Sequence, residues 1–85
     1  MNIELHRLFL KKFKKLPKKV RIQFVQRKNL FVNEPFHPLL HNHSVDQRLP
    51  GCRSINVTGD YRAIFREKSN DALFVTIGTH SELYS

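Results

Sequence analysis

Three strand-like runs follow one another in the last third of the chain, Gly51 to Tyr84, with turns of only a few residues between them (GCRSINVTGDYRAIFREKSNDALFVTIGTHSELY). This spacing constrains the fold more than any other feature. Strands joined by short turns pair antiparallel, whereas a parallel pair needs a long crossover. In the first run Cys52, Ser54 and Asn56 alternate with Arg53, Ile55 and Val57, so both faces are mixed, as in a central strand covered on both sides. Thr58-Gly59-Asp60 has turn chemistry and leads into Tyr61 to Glu67, where Tyr61, Ala63 and Phe65 alternate with Arg62, Ile64 and Arg66. Ser69-Asn70-Asp71 turns the chain again into Ala72 to Ile77 (ALFVTI), whose β-branched and aromatic content marks a buried strand. Gly78-Thr79-His80 ends that strand, and Ser81 is expected to start a final helical turn reaching Tyr84.

Upstream, Asn2 to His6 alternates, with Ile3 and Leu5 on one face, and predicts a short edge strand that joins the sheet from outside the hairpin series. From Arg7 the period changes: Phe9, Phe13 and Leu16 fall on one helix face, with Lys11, Lys12, Lys14 and Lys15 on the rest. Pro17 ends this helix and opens the next. There Val20, Phe24 and Phe31 continue one face, and Ile22, Val25 and Leu30 are expected to widen it, until Asn33-Glu34-Pro35 stops the run. Phe36 to His43 (FHPLLHNH) has no clear period, and Ser44 to Leu49 is read as a short strand leading through the Pro50-Gly51 turn. The fold class is therefore α+β: two N-terminal helices packed on a twisted, mainly antiparallel sheet of four to five strands.

With 85 residues the chain is a single domain, 1–85, near the size where burial is only just sufficient, so a partner that binds the folded state contributes to its stability. The net charge is +8, and residues 1–33 hold all the excess, with ten Lys/Arg against one Glu. A basic excess of this kind favours polyanions, either a phosphate backbone or an acidic protein segment, although the helix lysines read first as a solvated face and only second as a specific binding surface. The lone Cys52 cannot form an internal disulfide, and the opening residues lack the apolar core of a signal peptide or membrane span. The expectation is a soluble, cytoplasmic protein without membrane contact. His37, His41 and His43 have the chemistry of zinc ligands, but their spacing fits no standard site and Cys52 is the only thiol, so no metal is expected.

The polar residues interleaved with the strands are the candidates for chemistry. Imidazole exchanges protons near neutral pH, which suits His43 and His80 to acid–base work, and each has the alternative of an exposed or hydrogen-bonded histidine, the reading given to His6, His37 and His41. Asp60 is either a base, an acceptor that orients a histidine, or a residue chosen for its turn. Arg53 and Arg62 present the planar fork that clamps phosphate, or simply face solvent. Tyr61 and Tyr84 either stack on unpaired bases or pack on the core.

The segments FLKKFKKLPK, RSINVTGDYRAIF and IGTHSELY, with His43 in the loop between the first two, resemble in order and spacing the RelE/ParE toxin superfamily of bacterial toxin–antitoxin pairs, and most of all its YafQ-type ribonuclease branch. The resemblance implies a twisted antiparallel sheet with two N-terminal helices against it. It also implies a small basic endoribonuclease that cuts messenger RNA on the ribosome without metal or cofactor. A cognate antitoxin would silence it, and operator DNA would be bound only through the antitoxin complex. By position, the resemblance assigns the catalytic set to His43, Asp60 and His80, and RNA contacts to Tyr61 and Tyr84. Where the branch often has a second histidine this chain has Asn56, and where it often has an arginine this chain has Thr76. Arg53 or Arg62 would then supply the missing positive charge. Two rivals remain: a ParE-like toxin that poisons DNA gyrase by binding, and a non-catalytic RNA- or antitoxin-binding domain.

Overall fold

In the computed structural model, which describes residues 1–84, the chain runs β1 (Asn2–Leu5), α1 (Arg7–Phe13), α2 (Lys18–Asn33), a 3-10 turn (Pro38–Leu40), β2 (His43–Ser44), β3 (Cys52–Asn56), β4 (Tyr61–Lys68), β5 (Asp71–Thr79) and α3 (His80–Tyr84). The strands form one sheet in the order β1-β5-β4-β3-β2. The late strands pair antiparallel, as their short turns require, and β2 adds to β3 in the same sense. β1 enters from outside that series and lies parallel to β5, with Asn2 opposite Asp71 and Leu5 opposite Phe74. This gives the expected α+β fold with a five-stranded mixed sheet. None of the described helices is long and apolar enough to cross a membrane.

One face of the sheet carries the main core. Ile55 and Val57 of β3, Ala63 and Phe65 of β4 and Ala72, Phe74 and Ile77 of β5 meet Phe9 of α1 and Val20, Phe24 and Phe31 of α2. Phe74 is the hub, its ring centroid 6.0 Å from Phe9, 5.4 Å from Phe24, 5.8 Å from Phe31 and 5.3 Å from Phe65. The helices differ from the sequence reading in two ways. α1 ends at Phe13, and Leu16 reaches the core from the turn that follows, because a residue preceding proline is driven out of the helical region. On α2, Leu30 extends the packed stripe, but Ile22 and Val25 are 50% and 45% exposed. At 100° per residue they point away from the line through Val20, Phe24 and Phe31, and the sheet covers only that line.

The other face carries a smaller cluster of Val45, Cys52 and Ile64, flanked by Leu49, Val75, Leu83 and Tyr84. A register shift in the β4–β5 pairing lets Val75 join it: Ile64 faces Thr76 and Phe65 faces Phe74, leaving Val75 unopposed. The strand expected over Ser44 to Leu49 stops at Ser44. From there local hydrogen bonds outcompete the ladder. Ser44 Oγ accepts from the Asp46 N–H (3.2 Å), the Val45 carbonyl accepts from Arg48 and Leu49, and Asp46 Oδ1 accepts from the Gly51 N–H (2.6 Å). Gly51 closes this loop at φ 77°, a left-handed conformation that glycine adopts without a Cβ clash.

Ser54 lies on this second face, fully buried, and its Oγ has no hydrogen-bond partner among the described residues. A buried hydroxyl left unpaired loses its hydration without compensation. Ser54→Ala is therefore expected to stabilise the fold by about 1 kcal/mol, raising the melting temperature by roughly 4–8 °C for a domain of this size. A lower melting temperature in the variant would show that the hydroxyl is satisfied in solution.

Candidate active site

Cross-strand pairing sets His43 opposite Ser54, so both side chains project from the second face of the sheet. His43 Nδ1 lies 2.8 Å from the His41 carbonyl oxygen. A carbonyl only accepts, so Nδ1 carries the proton in the neutral ring and Nε2 is left with its lone pair. The contact thus fixes the tautomer and leaves Nε2 as the unprotonated ring nitrogen. His41 takes a left-handed backbone (φ 45°) to turn its carbonyl there, and its ring packs 4.8 Å from that of His43.

His80 is placed by a reciprocal cap. Thr79 Oγ1 accepts from the Glu82 N–H (3.1 Å) and Glu82 Oε1 accepts from the Thr79 N–H (2.8 Å). This is the capping box of the sequence Thr79-His80-Ser81-Glu82. The helical turn therefore starts at His80, one residue before the expected Ser81. The His80 N–H donates to the Asp60 carbonyl (2.9 Å), which ties α3 to the β3–β4 turn. Four residues on, the Tyr84 ring packs against His80 at 4.7 Å, the spacing at which helix side chains meet.

The hydrogen bonds from Thr79 hold the Glu82 carboxyl below its ordinary value of 4.5, the backbone donor contributing most. A carboxylate with a lowered value adds stability above its unfolded value and loses it as pH falls through the folded one. Wild-type protein is therefore expected to lose α3 order on the acid side of pH 4.5, and Glu82→Gln is expected to abolish that titration. Backbone amide shifts of Thr79 and His80 followed by NMR during acidification give the reading, and identical acid profiles in the two proteins would rule the box out as its source.

His43, Asp46, Arg48, His80 and Tyr84 line one cavity of about 610 Å³ on this face. The other residues singled out by sequence lie elsewhere. Asp60 is exposed in its turn and reaches the site through its carbonyl. Tyr61 is half-buried and packs against the main core. Arg62 donates to the carbonyls of Thr58 (2.9 Å), Tyr61 (3.0 Å) and Gly59 (3.3 Å), pinning the β3–β4 turn. Arg53 donates from Nε to Asn42 Oδ1 (2.8 Å), stands 3.8 Å from Glu67 and lies over the Phe36 ring at 5.5 Å. His6 and His37 serve as helix caps, accepting from the N–H groups of Leu8 (3.0 Å) and Leu39 (3.1 Å).

Asp46 and Arg48 are charged cavity residues that sequence reasoning missed. Their segment reads as strand, and a strand would have given them no fixed relation to His80.

Residues 3–84 match the family described as the ParE toxin of the type II toxin–antitoxin system parDE. The chain belongs to the ParE toxin family. It is accordingly a toxin of a type II toxin–antitoxin system. Among solved structures the toxin is similar to YafQ of E. coli, with a TM-score of 0.81 and 22% identity over 99% of this chain and 98% of that one. In the E. coli DinJ–YafQ toxin–antitoxin complex the corresponding values are 0.79, 20%, 99% and 97%. The match in the E. coli RelBE toxin–antitoxin complex has a TM-score of 0.65 and 16% identity over 92% of this chain and 94% of that one. These likenesses establish a shared fold. No curated protein sequence matches the chain.

Proposed function

We propose that this toxin is a metal-independent endoribonuclease that cuts messenger RNA on translating ribosomes, with His43 and His80 as its acid–base pair. The observation that carries the reading is the meeting of two imidazoles on one cavity, one of them with its basic nitrogen set by a backbone carbonyl. In this mechanism neutral His43 Nε2 takes the proton of the ribose 2′-OH, and the Nδ1–H bond to the His41 carbonyl stabilises the imidazolium that forms. The 2′-oxygen bonds to phosphorus while the bond to the 5′-oxygen breaks. Protonated His80 gives its proton to that leaving oxygen. The products are a 2′,3′-cyclic phosphate and a 5′-hydroxyl end, and no water is consumed.

Asp60 acts here as a positioning residue, its carbonyl holding the His80 backbone. Tyr84 offers its ring to an unpaired base, a contact worth about 1–3 kcal/mol. The excess of ten Lys/Arg over one Glu in residues 1–33 serves ribosomal RNA in the active toxin and an acidic segment of the antitoxin in the silenced complex. Complexes of the similar YafQ and RelE chains with their antitoxins support such a partner.

One finding favours the second reading, a toxin that inhibits gyrase by binding: the matching family is that of ParE. Brief expression followed by mapping of 5′ ends on cellular messenger RNA, with plasmid supercoiling measured in parallel, separates the two. New 5′-hydroxyl ends inside translated frames are expected. Growth arrest with relaxed plasmid and no such ends would move gyrase to the front.

A further inference from the structure

In-line cleavage builds negative charge on the non-bridging oxygens of the phosphate, and a preorganised donor aimed at that charge has a large effect on rate. In the reading above both imidazoles are engaged in moving protons, so the charge needs another partner. We propose that Arg48 binds the scissile phosphate, and that in the free toxin its guanidinium is held ready on the carbonyl of Tyr84. The inference rests on the ribonuclease reading and assigns the cation within that same site.

Three observations carry it. Arg48 is the cavity-lining residue that brings a permanent positive charge beside His43 and His80. Arg53 and Arg62 are held by Asn42, Glu67 and the turn carbonyls, away from that wall. Next, the loop that carries Arg48 is ordered by its own bonds: the Arg48 and Leu49 N–H groups donate to Val45 (3.0 and 2.8 Å), and Asp46 accepts from Gly51 (2.6 Å). That last bond turns the Asp46 carboxylate to the backbone, and no ion pair holds Arg48 among the described residues. Finally, Arg48 Nη1 donates to the carbonyl of Tyr84, the residue whose ring packs on His80. The fork is thereby parked next to the proposed acid. Exchanging a neutral carbonyl for a phosphate gives a charge-assisted and often bidentate contact, roughly twice as strong as the bond it replaces. The side chain is exposed, so the exchange needs no unfolding.

The test is single-turnover cleavage of messenger RNA on programmed ribosomes, with the toxin released from its antitoxin. Wild type, Arg48→Ala, Arg48→Lys and Arg62→Ala are compared. Arg48→Ala is expected to lose about 10²- to 10³-fold in kcat with little change in KM, as when one donor to a developing oxyanion is removed. Added guanidinium ion at millimolar concentration is expected to restore part of that rate in Arg48→Ala and to leave Arg62→Ala unchanged. Arg48→Lys is expected to fall between wild type and Ala, since it keeps the charge and loses the fork. If wild type cuts and Arg48→Ala cuts equally fast, the assignment is wrong and the ribonuclease reading stands. A slow Arg48→Ala that also melts lower and gains nothing from guanidinium would make Arg48 a latch for α3 only, again overturning the assignment. If wild type cuts no programmed ribosome, the ribonuclease reading falls and takes this inference with it.

Discussion

On the proposed ribonuclease reading, His80→Ala is expected to lower the cleavage rate on programmed ribosomes by about 10²- to 10⁴-fold, the range that a positioned proton donor supplies, while leaving the fold intact. The side chain is exposed, and its part in the structure outside the cavity is made through the backbone, whose N–H bond to the Asp60 carbonyl an alanine keeps. The ring contact with Tyr84 is lost, but it lies at the surface of the smaller cluster. His43→Ala is expected to be similarly slow, and the double variant little slower than either single one, because groups acting in one transition state are not additive. Single-turnover rates with circular dichroism on the same samples give the check. A His80→Ala rate within threefold of wild type, in folded protein, would remove His80 from the reaction.

Phe74→Ala is expected to unfold the isolated toxin or leave it marginal. Loss of a buried aromatic ring costs about 3–5 kcal/mol, and a chain of 85 residues has a total stability of roughly 4–13 kcal/mol. Phe74 is fully buried and packs on Phe9, Phe24, Phe31 and Phe65, so both helices and β4 lose contacts at once. Its carbonyl also accepts from the His6 N–H (2.9 Å), at the junction where β1 hands over to α1. The helices therefore have few ways to collapse into the space left by the ring. Urea denaturation measures the effect, and a loss below 1 kcal/mol would mean that the core repacks around the gap. Antitoxin binding is expected to recover part of the loss, since a partner that binds only the folded state stabilises it.

The core and the cation of the site draw on different kinds of information. Phe74 belongs to a core whose outline is readable along the chain, because helical and strand periods register burial directly: Phe9, Phe24, Phe31 and Phe65 all fall on expected faces, and Phe74 and Ile77 lie in the run expected to be a buried strand. Turn chemistry at Thr58-Gly59-Asp60 and Ser69-Asn70-Asp71 dictated antiparallel neighbours, and Pro17 dictated the break between helices. The cap at Thr79 and Glu82 was also written in the residues, as a threonine three places before a glutamate, but it competed there with a reading that began the turn at Ser81.

Arg48 belongs to the other kind. Its role depends on where a loop closes, and the closure comes from Asp46 reaching Gly51 across five residues, a choice between local bonds and a strand ladder that no periodicity records. The same holds for the partition of the arginines. Arg53 and Arg62 looked as able to meet phosphate as any, until the register set Asn42 and Glu67 against one and three turn carbonyls against the other. By itself, then, the sequence determined the two N-terminal helices, the three late strands and their antiparallel order, most of the core-facing positions and the pair of histidines worth asking about. Tertiary structure alone decided the parallel seat of β1, the shift that frees Val75, and which cation stands beside His43 and His80. The physical reason is range: periods and turns are settled by residues a few places apart, whereas a long side chain finds its partner only after distant strands have chosen their register.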